Sequence, residues 1–157
     1  MQQIWHIYDA IERFAKLTNL LDGLPDIERA GYIAEDLQEM GAECNVPMLP
    51  SIAKYCSHIE ELYNNGPQND ILAHVYVRHM GDMYGGKFIA QRVPGPTRSY
   101  QFTDRSAAIK ALNEKLSISL IPEALLAFDM SLDIFNELAQ VMALPNTNVV
   151  SDPADAT

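Results

Sequence analysis

From residue 71 to residue 87 the chain runs Ile71-Leu72-Ala73-His74-Val75-Tyr76-Val77-Arg78-His79-Met80-Gly81-Asp82-Met83-Tyr84-Gly85-Gly86-Lys87, a helical pattern into which three glycines and a carboxylate are set. An interior glycine weakens a helix by roughly 1 kcal/mol relative to alanine, so this cluster costs about 3 kcal/mol unless bare backbone is required there. A flat, bulky ligand lying against a kinked helix requires it. Asp82 sits inside the predicted bend, and Arg78, one turn earlier on the same face, can hold its carboxylate ionised. The competing reading from spacing alone is an ordinary i, i+4 ion pair, with the glycines serving a helix crossing.

Helices are predicted on both sides of this segment. Ile4, Ile7, Tyr8, Ile11, Phe14, Ala15, Thr18 and Leu21 recur at spacings of three and four, marking an amphipathic helix that stops near Gly23. A second helix is expected after Pro25, with Asp26 in its first turn, ending at Met40-Gly41. A third begins at Ser51 and ends at the breaker cluster Asn64-Asn65-Gly66-Pro67, and the glycine-bearing helix runs from Asp70 to no further than Val93. Thr103 or Asp104 caps a fifth, and Pro122 opens a sixth that carries the stripe Leu125, Phe128, Leu132, Phe135, Leu138 and Met142. No strand alternation or repeat stands out. The fold class is therefore all-α, an irregular helical bundle over residues 1–143, followed by a polar tail from 144 to 157 that is expected to be flexible.

At 157 residues and 48% hydrophobic, the chain suits one domain with a continuous core. The formal net charge of -10 argues against nucleic acid or an anionic membrane surface as partner, since either would repel the chain at long range. Cys44 and Cys56 lack any paired spacing and are expected as buried thiols. No segment approaches the roughly 20 apolar residues of a membrane span, so a cytoplasmic protein without a membrane partner is expected.

Few chemistries have support. There is no Gly-x-Ser-x-Gly elbow and no phosphate-binding Gly-Lys-Ser/Thr loop. The four histidines, His6, His58, His74 and His79, show neither His-Glu-x-x-His nor Glu-x-x-His spacing. A protein-bound metal cluster is thus not expected, whereas a single axial histidine to a cofactor iron stays open.

The segment from Ile71 to Lys87 resembles the distal-helix signature of heme oxygenases, A-H-x-Y-x-R-Y-L-G-D-L-S-G-G-Q. Trp5-His6-Ile7-Tyr8 is similar to the family's Y-H-I-Y stretch, and residues 46–62 and 128–138 add to the likeness. The resemblance implies a heme-oxygenase-like multihelical bundle with a glycine-kinked distal helix. By motif, Gly81, Gly85 and Gly86 would lie over the heme, and Asp82 would organise the distal water that delivers protons. Arg78, Tyr8 and Tyr55 would belong to the distal hydrogen-bond network, and Tyr76 and Lys110 would stand near the heme propionates. The implied reaction takes heme, O2 and electrons from a ferredoxin or reductase to biliverdin, carbon monoxide and ferrous iron.

The pattern also departs from the family. Members generally begin with a helix bearing the proximal histidine, in a pattern like H-x-x-A-E, and this chain is expected to start after it. A second alignment instead makes His6 the iron ligand. Glu114 falls where a propionate-binding arginine is usual, Ser131 where a network asparagine is usual, and Tyr84 and Lys87 replace the serine and glutamine. The alternative function is a non-catalytic heme- or tetrapyrrole-binding or helical interaction protein. An uncovered apolar face would also favour a homo-oligomer.

Overall fold

The computed structural model describes residues 1–143, so the tail expected from residue 144 onward lies outside the described residues. The described chain is helical, with no strand. In order it forms α1 (Gln2–Leu17), α2 (Ala30–Glu39), α3 (Pro50–Asn64), α4 (Ile71–Val75), α5 (Gly81–Ala90), α6 (Arg105–Lys115) and α7 (Ile121–Ala143). A π-helical turn, Tyr76–Met80, joins α4 to α5. No described helix is long and apolar enough to cross a membrane.

The core forms where α1 lies along α3 and α4, with α7 closing against α3 and α4. Ile7, Ile11, Ile52, Tyr55, Ile59, Ile71 and Leu112 are inaccessible to solvent there. The third helix starts at Pro50, one residue before the expected Ser51, because the missing N–H of proline is of no consequence in a first turn. The Asp104 carboxylate caps α6 as expected, accepting from the Ala107 amide at 2.9 Å. Cys44 and Cys56 are both free thiols.

The start of α2 differs from expectation. Asp26 does not sit in a first helical turn; it has φ 50, and the helix begins at Ala30. Tertiary bonds account for the change. The Asp26 carboxylate accepts from Arg29 Nη2 at 2.7 Å and from the Thr103 amide at 2.7 Å. The fully buried Arg29 donates further to Gln101 O at 2.6 Å and lies 4.1 Å from the Phe102 ring centroid. The free amides at the start of α2 are met by α1: Glu12 accepts from Arg29 N at 2.5 Å and Ala30 N at 3.0 Å. Glu137 of α7 serves α3 likewise, accepting from Ser51 N at 2.8 Å.

The interruption of the glycine-bearing helix also falls elsewhere than expected. Gly81 has ordinary helical angles, φ -56 and ψ -45. The irregularity is the π turn one turn earlier, which carries Arg78 and rotates the helix that follows.

On α7 most of the predicted stripe is left uncovered by the described residues, Leu138 alone packing against the core. Leu125, Phe128, Leu132 and Phe135 are each at least half exposed, while Ala127, Met130, Ser131 and Ile134 face the core. Periodicity identifies an apolar face but does not say what covers it.

Candidate functional site

A cavity of about 460 Å³ lies between the N-terminal half of α1, the π turn and α5, and the middle of α7. Its apolar walls include Ile4, Ile33, Val77, Phe128 and Phe135, and its polar groups are few: Tyr8, Arg78, Asp82, Ser99, Tyr100 and Ser131. A concave apolar site with a small convergent polar set is the usual form of a small-molecule site.

Asp82 is the centre of the polar set. Tyr8 Oη donates to its Oδ2 at 2.5 Å, and the Tyr8 ring meets His79 edge-on with centroids 5.1 Å apart. Burial pushes the Asp82 carboxyl up from its ordinary value, opposed by the Tyr8 hydrogen bond and by the neighbouring His79 ring and Arg78 guanidinium. Burial and the neighbouring Asp82 charge push the Tyr8 hydroxyl well up, so it keeps its proton and serves as donor. Arg78 lies with its guanidinium carbon 5.5 Å from the Tyr8 ring centroid and donates from Nη1 to Ser131 Oγ at 3.3 Å. Its buried Nε has no hydrogen-bond partner among the described residues. A buried donor without a partner beside a cavity is a group available to a ligand or a bound water.

The three glycines divide into two roles. A Cβ built on Gly81 or Gly85 meets nothing within 4 Å, whereas one on Gly86 would lie 2.8 Å from Tyr100 Cδ1. Gly86 therefore admits the Tyr100 ring. That ring is held from α2, because Asp36 accepts from the backbone amides of Arg98 at 3.2 Å and Ser99 at 3.0 Å. Alanine at Gly81 or Gly85 is expected to raise stability by up to about 1 kcal/mol. Alanine at Gly86 is expected to lower it, through the forced shift of Tyr100. Urea denaturation of the three variants distinguishes these outcomes, and destabilisation by all three would remove the idea of open space over Gly81 and Gly85.

The heme oxygenase family model matches residues 1–110. The chain belongs to the heme oxygenase family. It is 32% identical to heme oxygenase 2 of Oryctolagus cuniculus over 120 residues, covering 63% of this chain and 38% of that protein. Against the heme oxygenase of Rhodella violacea it is 29% identical over 136 residues, covering 72% of this chain and 57% of that protein. The chain therefore spans well under two thirds of the length of these relatives. Its fold is similar to that of heme oxygenase-1 from the cyanobacterium Synechocystis, solved in complex with heme, with a TM-score of 0.71 at 20% identity over 90% of this chain and 76% of that one. Heme oxygenase from Leptospira interrogans gives a TM-score of 0.67 at 20% identity, covering 87% and 80%.

Among the residues singled out on the heme oxygenase resemblance, Tyr8, Arg78, Gly81 and Asp82 share the cavity wall. Ser131, which stands where the family usually has asparagine, still receives a hydrogen bond from Arg78. Tyr55 lies apart from the cavity lining: it is fully buried and 2.8 Å from His74 Nδ1. Tyr76 packs against the core from within the π turn. Lys110 borders a separate open depression of about 590 Å³ with Tyr84 and Glu114.

His6 is outside the cavity lining, and its Nε2 lies 2.8 Å from Val46 O. It belongs to a strap between α1 and the loop before α3, together with Gln3, which donates to Pro47 O at 2.8 Å and accepts from Leu49 N at 2.9 Å. The remaining histidines are also engaged elsewhere, His79 with Glu12 at 2.8 Å, and His58 and His74 with Glu123. No histidine is among the residues lining the cavity.

Sequence reasoning missed Glu12, Asp36 and Glu123. Each is one acidic residue in a helical pattern, and the backbone amides or imidazoles that it serves lie at least 17 residues away in sequence.

Proposed function

We propose that this chain binds heme against α5 and cleaves it oxidatively to biliverdin, carbon monoxide and ferrous iron, with O2 and electrons from a ferredoxin or reductase. The observation that carries the reading is the buried Tyr8–Asp82 pair at 2.5 Å beside the bare backbone of Gly81, in a cavity with apolar walls. These residues fit the distal side of a planar macrocycle: open space over Gly81 and Gly85 allows close approach, and the unpartnered Arg78 Nε gives a bound water a donor. Heme, when bound, supplies the iron that activates O2 and the porphyrin edge that is oxidised.

The chain's own part is positioning and proton supply. Tyr8 holds the Asp82 carboxylate in one orientation by donating to Oδ2, which leaves Oδ1 free to accept from water at the cavity floor. A carboxyl pushed up by burial exchanges a proton with such water more readily near neutral pH than an ordinary aspartate. Phe128 and Phe135 offer apolar surface to the ligand and limit the entry of bulk solvent. Glu114 and Lys110 line one depression outside the cavity, so a propionate reaching it would meet one charged group of each sign.

A second reading, a tetrapyrrole binder without turnover, is favoured by the engagement of all four histidines away from the cavity. Titration of the purified protein with hemin, alone and with added imidazole, followed by electron donor and O2, separates the readings. One-to-one binding followed by bilin formation is the expected result. Binding without bilin selects the second reading, and an absence of binding in both conditions overturns both. His6→Ala is expected to leave the hemin spectrum unchanged.

A further inference from the structure

The spacing of histidines and acids along the chain predicts no protein metal set, but the fold brings two histidines and a glutamate together away from the cavity. His58 on α3, His74 on α4 and Glu123 on α7 each present a ligating atom, and these atoms lie within 4.8 Å of one another. Both imidazole Nε2 atoms point at the same carboxylate oxygen, His58 at 2.5 Å and His74 at 2.8 Å from Glu123 Oε1. We propose that His58, His74 and Glu123 form a binding site for a divalent transition-metal ion, with zinc the best match.

Two imidazoles and one carboxylate suit zinc and its neighbours, whereas magnesium and calcium favour oxygen ligands alone. Zinc bonds of about 2.0–2.1 Å place ligand atoms roughly 3.3 Å apart in a tetrahedron. Small side-chain rotations reach that spacing from the observed one. They retract the carboxylate slightly and draw the nitrogens together.

Tyr55 supplies the outer partner that metal-binding imidazoles usually have, since its hydroxyl lies 2.8 Å from His74 Nδ1. Without an ion, the Tyr55 O–H donates to Nδ1 while Nε2–H donates to Glu123. With an ion, the imidazole proton moves to Nδ1 and donates to the Tyr55 oxygen, which frees the Nε2 lone pair for the metal. The hydroxyl oxygen accepts in place once its own proton swings away from Nδ1. His58 is about one quarter exposed, which leaves an entry route.

An ion here ties α7 to α3 and α4 within about two turns of Phe128 and Ser131, which wall the cavity. The site shares no residue with that wall, so its test is made without heme and is independent of the proposed reaction.

The experiment is a titration of the chelator-treated full chain with Co2+, followed by displacement with Zn2+. Ligand-field bands of a nitrogen- and oxygen-ligated ion should appear at one equivalent. His58→Ala and Glu123→Ala should weaken binding by about 100-fold or more, since outer partners alone are worth roughly 10- to 100-fold. In the unsubstituted protein, Zn2+ should shift the imidazole NMR signals of His58 and His74 and leave those of His6 and His79 in place, a readout that needs no variant to fold. Sulfur-to-cobalt charge-transfer bands would assign the ion to Cys44 or Cys56 and overturn the proposal. Equal affinity in a folded His58→Ala variant, or unmoved His58 and His74 signals, would overturn it too.

Discussion

Glu12→Ala is expected to remove about 3–5 kcal/mol of stability, a large share of the 5–15 kcal/mol typical of a domain. Glu12 is 3% exposed and accepts from three donors: Arg29 N at 2.5 Å, Ala30 N at 3.0 Å and His79 Nε2 at 2.8 Å. Alanine leaves all three without an acceptor, at roughly 1–3 kcal/mol for each buried group. The start of α2 and the ring that supports Tyr8 would loosen together, because His79 packs edge-on against Tyr8. Glu12→Gln should cost less, since the Glu12 Oε1 atom already serves both Arg29 N and His79, leaving only the Ala30 amide opposed by an NH2 group. The midpoint of urea unfolding measures the effect. A Glu12→Ala variant within 1 kcal/mol of the parent would show that this cluster contributes far less than its burial implies.

Asp82→Ala carries the largest expected effect on the proposed reaction. Positioned proton transfer is worth about 100- to 10,000-fold, so biliverdin formed per heme consumed should fall by about 100-fold or more, while hemin still binds the apolar walls. Asp82→Asn probes the same group through folding. Burial raises the Asp82 carboxyl, so its neutral form is the one that the fold favours. The associated stability is fully present below the ordinary carboxylate pKa and is lost as pH rises through the raised folded value. Asparagine keeps an acceptor for Tyr8 and carries no charge. Asp82→Asn should therefore be more stable than the parent at neutral pH, with the difference closing on acidification. A parent that is the more stable at neutral pH, together with unchanged biliverdin yield in Asp82→Ala, would remove both roles from this carboxylate.

Much of the architecture was legible in the chain because helix ends are local chemistry. Asp104 and the Asn64–Pro67 breakers act through their own backbone neighbours, and the structure places helix ends there. The start of α2 was not legible, because Asp26 is held outside the helix by Arg29 and by Thr103, 77 residues away. The glycine cluster likewise announced a ligand face without dividing its members. Gly86 accommodates Tyr100, and only the fold brings that ring to it.

The sequence by itself determined the class of fold, the family and the close association of Arg78, Gly81 and Asp82, since these depend on residues within a few turns of one another. The resemblance placed Tyr8 in a network with Arg78, while tertiary structure decided that its partner is Asp82, 74 positions away, that His6 turns to Val46, and that His58, His74 and Glu123 converge. It also decided that most of the apolar stripe of α7 is left uncovered by the described residues. The reason is physical: helix periodicity and capping are set by neighbours in sequence, whereas the partner of a buried proton, lone pair or apolar face is whichever distant group packing brings within bonding distance.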